Sequence, residues 1–153
     1  MISVVIPSCK LENLKPCLES IVKYTDLDRI EVVIVANGME QKPIGIMAQH
    51  MNLVSVDYPE RIGFTRAVNE GIKVAKGEYI VILNDDTILL PQPKNQWIDM
   101  LNAPFCGYGT DFSSDPNKWN TVGITGPLCG WSNEIKKHVM IFFCVMIHRR
   151  VFD

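Results

Sequence analysis

Nowhere does the chain run apolar for the ~20 residues that a helix needs to cross a bilayer, so nothing in it reads as a transmembrane helix. It has no basic excess: 15 Lys and Arg stand against 17 Asp and Glu, which excludes the broad positive field that nucleic-acid binding requires. The start, "ISVVIP", has no basic flank and is too short for a signal peptide. The five cysteines, Cys9, Cys17, Cys106, Cys129 and Cys144, are odd in number and form no CxxC pair, so reduced buried thiols are expected rather than disulfides or a zinc site. Neither GxGxxG after the first apolar run nor GxxxxGK[ST] anywhere is present, which argues against a dinucleotide oxidoreductase and a P-loop NTPase. Internal repeats and low-complexity linkers are also missing.

What is present fits one globular domain. Over 153 residues the composition is 47% hydrophobic and 21% charged, enough for a real core. "ISVVIP" and "IEVVIVANG" are short β-branched runs suited to strands covered on both faces. Between them Leu14, Leu18, Ile21 and Val22 recur at helical spacing, with Pro16 expected in the first turn, where proline is tolerated. "PIGIMAQHM" reads as a short helix and "LVSVDYP" as a third strand. From Thr65 to Lys76, Ala67, Val68, Gly71, Ile72 and Ala75 predict a helix that Gly77 stops. "EYIVIL" is the fourth strand. This alternation predicts an α/β fold with mostly parallel pairing and right-handed crossovers. Beyond it, "NQWIDML" fits one or two helical turns, residues 104–120 a long functional loop or a mobile lid, and "TVGITG" and "VMIFFCVMI" two further strands.

In open α/β sheets ligands bind beyond the carboxyl ends of the strands. Four polar segments fall at such ends: Pro7 to Lys10, Asn37-Gly38, Asp57-Tyr58, and "NDDT", Asn84 to Thr87. Adjacent Asp85 and Asp86, lying between the apolar runs "YIVIL" and "ILL", admit two readings. They are a turn that ends a strand, or they hold a hard divalent cation, Mg²⁺ or Mn²⁺, which takes one or two carboxylates and completes its shell with water and phosphate oxygens. A receiver-type phosphorylation domain would need acidic residues directly after the first strand, where Pro7 and Ser8 stand. A nucleotidyltransferase would carry a Gly-rich basic loop there, and "PSCKLEN" has no glycine.

The blocks "SVVIPSCKLENLKPCLESI", "EVVIVANG", "RIGFTRAVNEGIKVAKGEYIVILNDDTIL", "VGITGP" and "FCVMIHRRVFD", in this order, resemble the family 2 inverting glycosyltransferases of GT-A fold. The resemblance spans essentially the whole chain, and its most specific part is G-F-x-x-A-x-N-x-G-I followed by A-x-G-E-Y and NDDT. It implies a Rossmann-like, mostly parallel sheet flanked by helices in one domain over 1–153. Residues 1–90 would bind the nucleotide-sugar, and 91–153 would form a partial acceptor side. It implies a nucleoside-diphosphate sugar as donor, UDP- or dTDP-linked, and a glycan or lipid-linked acceptor. It also implies a location in the cytoplasm or at the inner face of the membrane.

By the same resemblance NDDT is the family's DxD-type element: Asp86 matches the metal ligand and Asp85 its neighbour near the ribose or the metal's water. Asn84 stands where many members have a first Asp, and its amide is expected to bond a hydroxyl. Pro7 and Ser8 match the loop lining base and ribose, with Cys9 where a stacking aromatic is frequent. Asn37 matches an aspartate that accepts the pyrimidine ring N–H, and Arg61 or Arg66 would reach a base carbonyl or a phosphate. Asn69 matches a family Asn and equally suits a structural helix role. The family's general base lies past a Gly-Gly-Phe-Asp stretch that this sequence does not reach, so no catalytic base is identified. The expectation is a transferase domain, truncated or naturally short, or a remnant that binds nucleotide-sugar without transfer. Asp111, Asp115 and Glu134 have no match to the base; His50, His138 and His148 are expected at the surface or in packing, and Trp97, Trp119 and Trp131 as core or loop anchors.

Overall fold

A computed structural model describes residues 1–40, 51–106, 123–126 and 143–152. The helix expected over 43–51 lies outside these residues except for Met51, and the expected 104–120 loop lies outside them beyond Cys106. The strands are β1 (Ile2–Ser8), β2 (Ile30–Asn37), β3 (Leu53–Tyr58), β4 (Tyr79–Leu83), β5 (Ile124–Thr125) and β6 (Cys144–His148). The helices are α1 (Leu11–Tyr24), α2 (Phe64–Val74) and α3 (Gln96–Asn102). The sheet order is β3-β2-β1-β4-β6-β5, parallel from β3 to β4, with β6 antiparallel to both β4 and β5.

Every residue of β1 and β2 is buried, as unbroken β-branched runs require when helices cover both faces of a sheet. Alternation divides the side chains between two layers. Val4, Ile6, Val32, Ile34, Val81 and Leu83 meet Leu14, Cys17, Leu18 and Ile21 of α1 and Ile98 and Leu101 of α3. Val5, Val33 and Ile80 face the other way, with Ala75 and the partly buried Ile72. Val68 of α2 joins Ile82, Val145 and Ile147 on that same face. Trp97 is an anchor, as expected: it is buried and donates its indole N–H to Thr25 Oγ1 at 2.9 Å.

Two local readings are corrected. Pro16 is the sixth residue of α1, not a first-turn residue, because the helix begins at Leu11, before the apolar stripe does. Pro16 is exposed, so the carbonyl one turn back that it cannot serve is open to water. Gly77 does not stop α2 either; the helix ends at Val74, and Ala75, in extended conformation, is its C-cap. The glycine is needed for close approach: a Cβ there would stand 2.5 Å from Ser3 Oγ and 2.6 Å from Ser3 N. Ser3 Oγ accepts the Gly77 N–H at 2.7 Å and donates to buried Glu31 at 2.5 Å, and Glu31 also accepts the Lys76 N–H. Arg149 closes the same corner, donating to the carbonyls of Gly77 (2.8 Å) and Ala75 (2.6 Å).

Helix α2 lies on the sheet through Gly71, where a Cβ would sit 2.4 Å from Val5 Cγ1 and 3.0 Å from Val35 Cγ2. Gly71→Val is therefore expected to lower the unfolding free energy by about 1–3 kcal/mol, the usual cost of overpacking a filled interior. Urea unfolding followed by circular dichroism measures this, and an unchanged midpoint would contradict the contact.

Candidate functional site

The acidic pair stands at the carboxyl end of β4 on a β-turn: the Thr87 N–H donates to the Asn84 carbonyl at 3.2 Å, and the Asn84 N–H donates to Phe143 O at 2.9 Å. The turn continues into a segment pinned to α1. Leu89 N–H donates to Ser20 Oγ at 3.1 Å, while Asn95 and Asp26 exchange two bonds, Asn95 Nδ2 to Asp26 Oδ2 at 2.7 Å and Asp26 N–H to Asn95 Oδ1 at 2.8 Å. Asn95 takes a left-handed conformation (φ 69°), which asparagine tolerates better than most residues. The stretch "ILL" is not buried as its composition suggested: Ile88 and Leu90 are exposed, and only Leu89 packs against the core. The carboxylates thus stand at a wet strand end.

Ser8, at the end of β1, donates to Asp85 Oδ2 at 2.6 Å and accepts the Lys10 N–H at 3.3 Å, tying the ends of two neighbouring strands together. Asp86 is exposed, and among the described residues neither carboxylate has a cationic partner. Both also push Cys17 upward: burial raises its thiol pKa to about 12, with Asp85 and then Asp86 adding to the effect. Asn84 is engaged through its backbone, and its side-chain Oδ1 is buried without a partner at the edge of the acidic cavity.

Pro7, Ser8, Cys9, Asn37, Phe64, Asn84, Asp85 and Asp86 line one cavity of about 250 Å³. Arg61 lies in an adjoining cavity of about 380 Å³ that shares Cys9 and also includes Lys10, Gly38 and Met39. Asp57 and Tyr58 open instead onto a third hollow with Ala36, Met39 and Pro59. Of the sequence-predicted residues, the fold therefore brings Pro7, Ser8, Asn37, Asp85 and Asp86 together and leaves Arg61 next door. Arg66 and Asn69 are exposed on α2. His148 packs edge-on against Tyr79 at the far end of β4, with ring centroids 5.1 Å apart. His50, His138, Trp119, Trp131, Asp111, Asp115 and Glu134 lie outside the described residues.

Phe64 was not singled out from sequence, yet it is half exposed at the mouth of the acidic cavity. Its signal was legible: an aromatic at the first position of a helix whose buried stripe begins only at Ala67. Helices α1 and α2 both start at this end of the sheet, and neither start has a side-chain cap. Free N–H groups and the positive ends of two helix dipoles therefore favour an anion here. Among the described residues no group of three or more metal-ligating side chains exists. The two uncompensated carboxylates nonetheless fit a hard divalent cation that draws its remaining ligands from water and a bound anion.

Together, the sheet order, the antiparallel β6 and the acidic turn ending β4 define a domain of GT-A type. Residues 3–153 match the family description "Glycosyl transferase family 2", and the chain belongs to that family. It is 28% identical over 116 residues to an uncharacterized glycosyltransferase of Rickettsia typhi, covering 71% of this chain and 36% of that protein. It is 38% identical over 94 residues to the glycosyltransferase GlyG of Streptococcus pneumoniae, covering 58% of this chain and 31% of that one. The chain thus spans about a third of the length of these relatives. In fold it is similar to the mannosyltransferase PcManGT of Pyrobaculum calidifontis in complex with GDP-Man and Mn²⁺, with TM-score 0.68 at 19% identity over 99% of this chain and 45% of that one. It is also similar to S. aureus TarS 1-349 in complex with UDP-GlcNAc, with TM-score 0.60 at 17% identity over 94% of this chain and 44% of that one.

The described cysteines differ sharply in access. Cys9 is partly exposed between the two cavities, whereas Cys17 and Cys144 are buried, each with its thiol pushed up to about 12. Because the thiolate is the nucleophile, iodoacetamide at mild alkaline pH should modify Cys9 well before Cys17 or Cys144 in the native protein, as read by peptide mass spectrometry. Equal labelling of the three would contradict this arrangement.

Proposed function

We propose that this domain binds a nucleoside-diphosphate sugar, UDP- or dTDP-linked, at the carboxyl ends of β1, β2 and β4. In the whole protein it would serve transfer of the sugar, with inversion, to a hydroxyl of a glycan or lipid-linked acceptor. The observation that carries the proposal is the pair Asp85 and Asp86, held side by side without a cationic partner among the described residues, in a cavity that also offers Ser8, Asn37 and the uncapped start of α2, with the uncapped start of α1 in the adjoining cavity. Two adjacent carboxylates repel one another, and a site that retains them unpaired suits a ligand that brings positive charge.

Asp86 would hold Mg²⁺ or Mn²⁺, with Asp85 in support. The metal, when bound, neutralises the diphosphate and makes it a better leaving group. Ser8 fixes the orientation of Asp85 by donating to one of its oxygens and leaves the other free for a metal-bound water or a ribose hydroxyl. Pro7 and Ser8 form the floor beneath the nucleoside, and Arg61, whose guanidinium has no partner among the described residues, reaches a base carbonyl or a phosphate oxygen from the adjoining cavity. Among the described residues no helix is long and apolar enough to cross a membrane. Action in the cytoplasm, or at the inner membrane face if the acceptor is lipid-linked, agrees with that.

Asp86→Ala should abolish metal-dependent UDP binding in calorimetry with Mn²⁺ while leaving the thermal melt unchanged, since Asp86 is exposed and packs nothing. Undiminished affinity would reduce NDDT to a strand-ending turn. A second reading is a module that holds the nucleotide-sugar without transferring it. It is favoured by the acidic cavity's lining, which among the described residues offers no carboxylate beyond Asp85 and Asp86 to deprotonate an acceptor. Glycosylation of an added acceptor by the 153-residue chain, assayed with UDP-, GDP- and dTDP-sugars, would sink that second reading.

A further inference from the structure

We propose that Asn37 serves as a hydrogen-bond donor to the bound nucleoside, so that the site selects a base edge or ribose atom bearing a lone pair. The inference rests on the nucleotide-binding reading above. It reverses the polarity that family resemblance assigns to this position, where a carboxylate accepts a ring N–H.

Asn37 is the last residue of β2, is only 9% exposed, and lines the acidic cavity. Its Oδ1 accepts the backbone N–H of Ile62 at 2.7 Å. The orientation of the amide is thereby fixed, because turning it over would set its NH₂ against another N–H, two donors with no acceptor between them.

The loop that supplies Ile62 cannot easily withdraw. Gly38, at φ 71°, donates its N–H to Tyr58 O at 3.0 Å, and a Cβ on it would lie 2.8 Å from Arg61 Cγ and 2.9 Å from Arg61 N. Absence of that Cβ lets residues 60–62 rest directly on the end of β2 and deliver the Ile62 N–H to Asn37. The sequence Asn37-Gly38 is therefore a device that consumes the acceptor half of the asparagine.

The donor half remains. Asn37 Nδ2 has no partner among the described residues. It is not shut off from solvent either: Asn37 lines the cavity, and its NH₂ is open there to water or to a ligand that displaces it. An aspartate at this position would serve Ile62 equally well but present a second acceptor and a charge. Asn37 presents N–H instead, and Arg61, which lines the adjoining cavity and whose guanidinium has no partner among the described residues, also only donates. The nucleoside atom that meets Asn37 is consequently a carbonyl oxygen, an unprotonated ring nitrogen or a hydroxyl oxygen.

The test compares wild type with Asn37→Asp, which keeps the acceptor for Ile62 and removes only the donor. Calorimetry with Mn²⁺ is run against UDP, CDP, GDP and dTDP, and against inorganic pyrophosphate as the control for added negative charge. The proposal predicts that the tightest nucleotide loses about tenfold more affinity than pyrophosphate does, the cost of leaving a ligand acceptor facing a carboxylate. Equal losses, or a gain in nucleotide affinity relative to pyrophosphate, would overturn it while leaving nucleotide binding itself intact. If wild type binds none of the four nucleotides, the functional reading falls and this inference with it. Should Asn37→Asp prove unstable, the wild-type protein decides: in ¹⁵N-resolved NMR the Asn37 side-chain NH₂ pair should shift on addition of nucleotide and not of pyrophosphate, and an unmoved pair refutes the donor role.

Discussion

The hydrogen bond from Ser8 to Asp85 joins the ends of β1 and β4 at the wet edge where β4 passes into adjacent acidic residues. Both faces of the central strands are covered by helices, so a carboxylate anywhere along residues 80–83 would be buried unpaired at a cost of several kcal/mol. Only the strand end reaches water. There Ser8 fixes one acid and leaves the other, Asp86, exposed. The rest of the architecture supports that arrangement. The β-turn aims the pair, the Ser20–Leu89 and Asp26–Asn95 bonds hold the chain leaving the turn, and uncapped α1 and α2 begin at the same edge.

The two ends of the sheet are managed in opposite ways. At the amino end, the polar groups are largely matched within the protein: Ser3 links Gly77 to Glu31, and Arg149 takes the carbonyls left by α2. At the carboxyl end, groups are left without partners among the described residues, namely the Asp86 carboxylate, the Arg61 guanidinium and the Asn37 amide nitrogen. The amino-end network still leaves Glu31 Oε2 buried without a partner, whereas the unmet groups at the carboxyl end line open cavities. Partnerless polar groups that line a cavity are the ones a ligand can reach.

Much of this was legible in the sequence because it follows from local chemistry. Short β-branched runs such as "VVIVA" suit buried strands between helices, and the strand-helix alternation of the first half implies the parallel pairing found from β3 to β4. "NDDT" after "YIVIL" places charge at a carboxyl end. Family blocks in the right order led to Pro7, Ser8, Asn37, Asp85 and Asp86, which the fold brings into one cavity. What escaped depends on contacts between segments distant in the chain. Gly77 resembled a helix stop because it follows an apolar stripe, but its constraint comes from Ser3 on another strand. The exposed setting of Ile88 and Leu90 is set by how the chain leaves the turn, which hydropathy does not record. The commitment of Asn37 Oδ1 to Ile62 arises from a loop twenty-five positions away and has no local signature.

The central claim is that the acidic turn closing β4 is kept unpaired in order to receive a cation together with a diphosphate. It is tested most directly by the affinity of wild-type protein for UDP, measured once with saturating Mn²⁺ and once with EDTA. The account predicts affinity at least about tenfold higher with the metal, since without it the diphosphate meets two bare carboxylates. Equal affinity under the two conditions would contradict it.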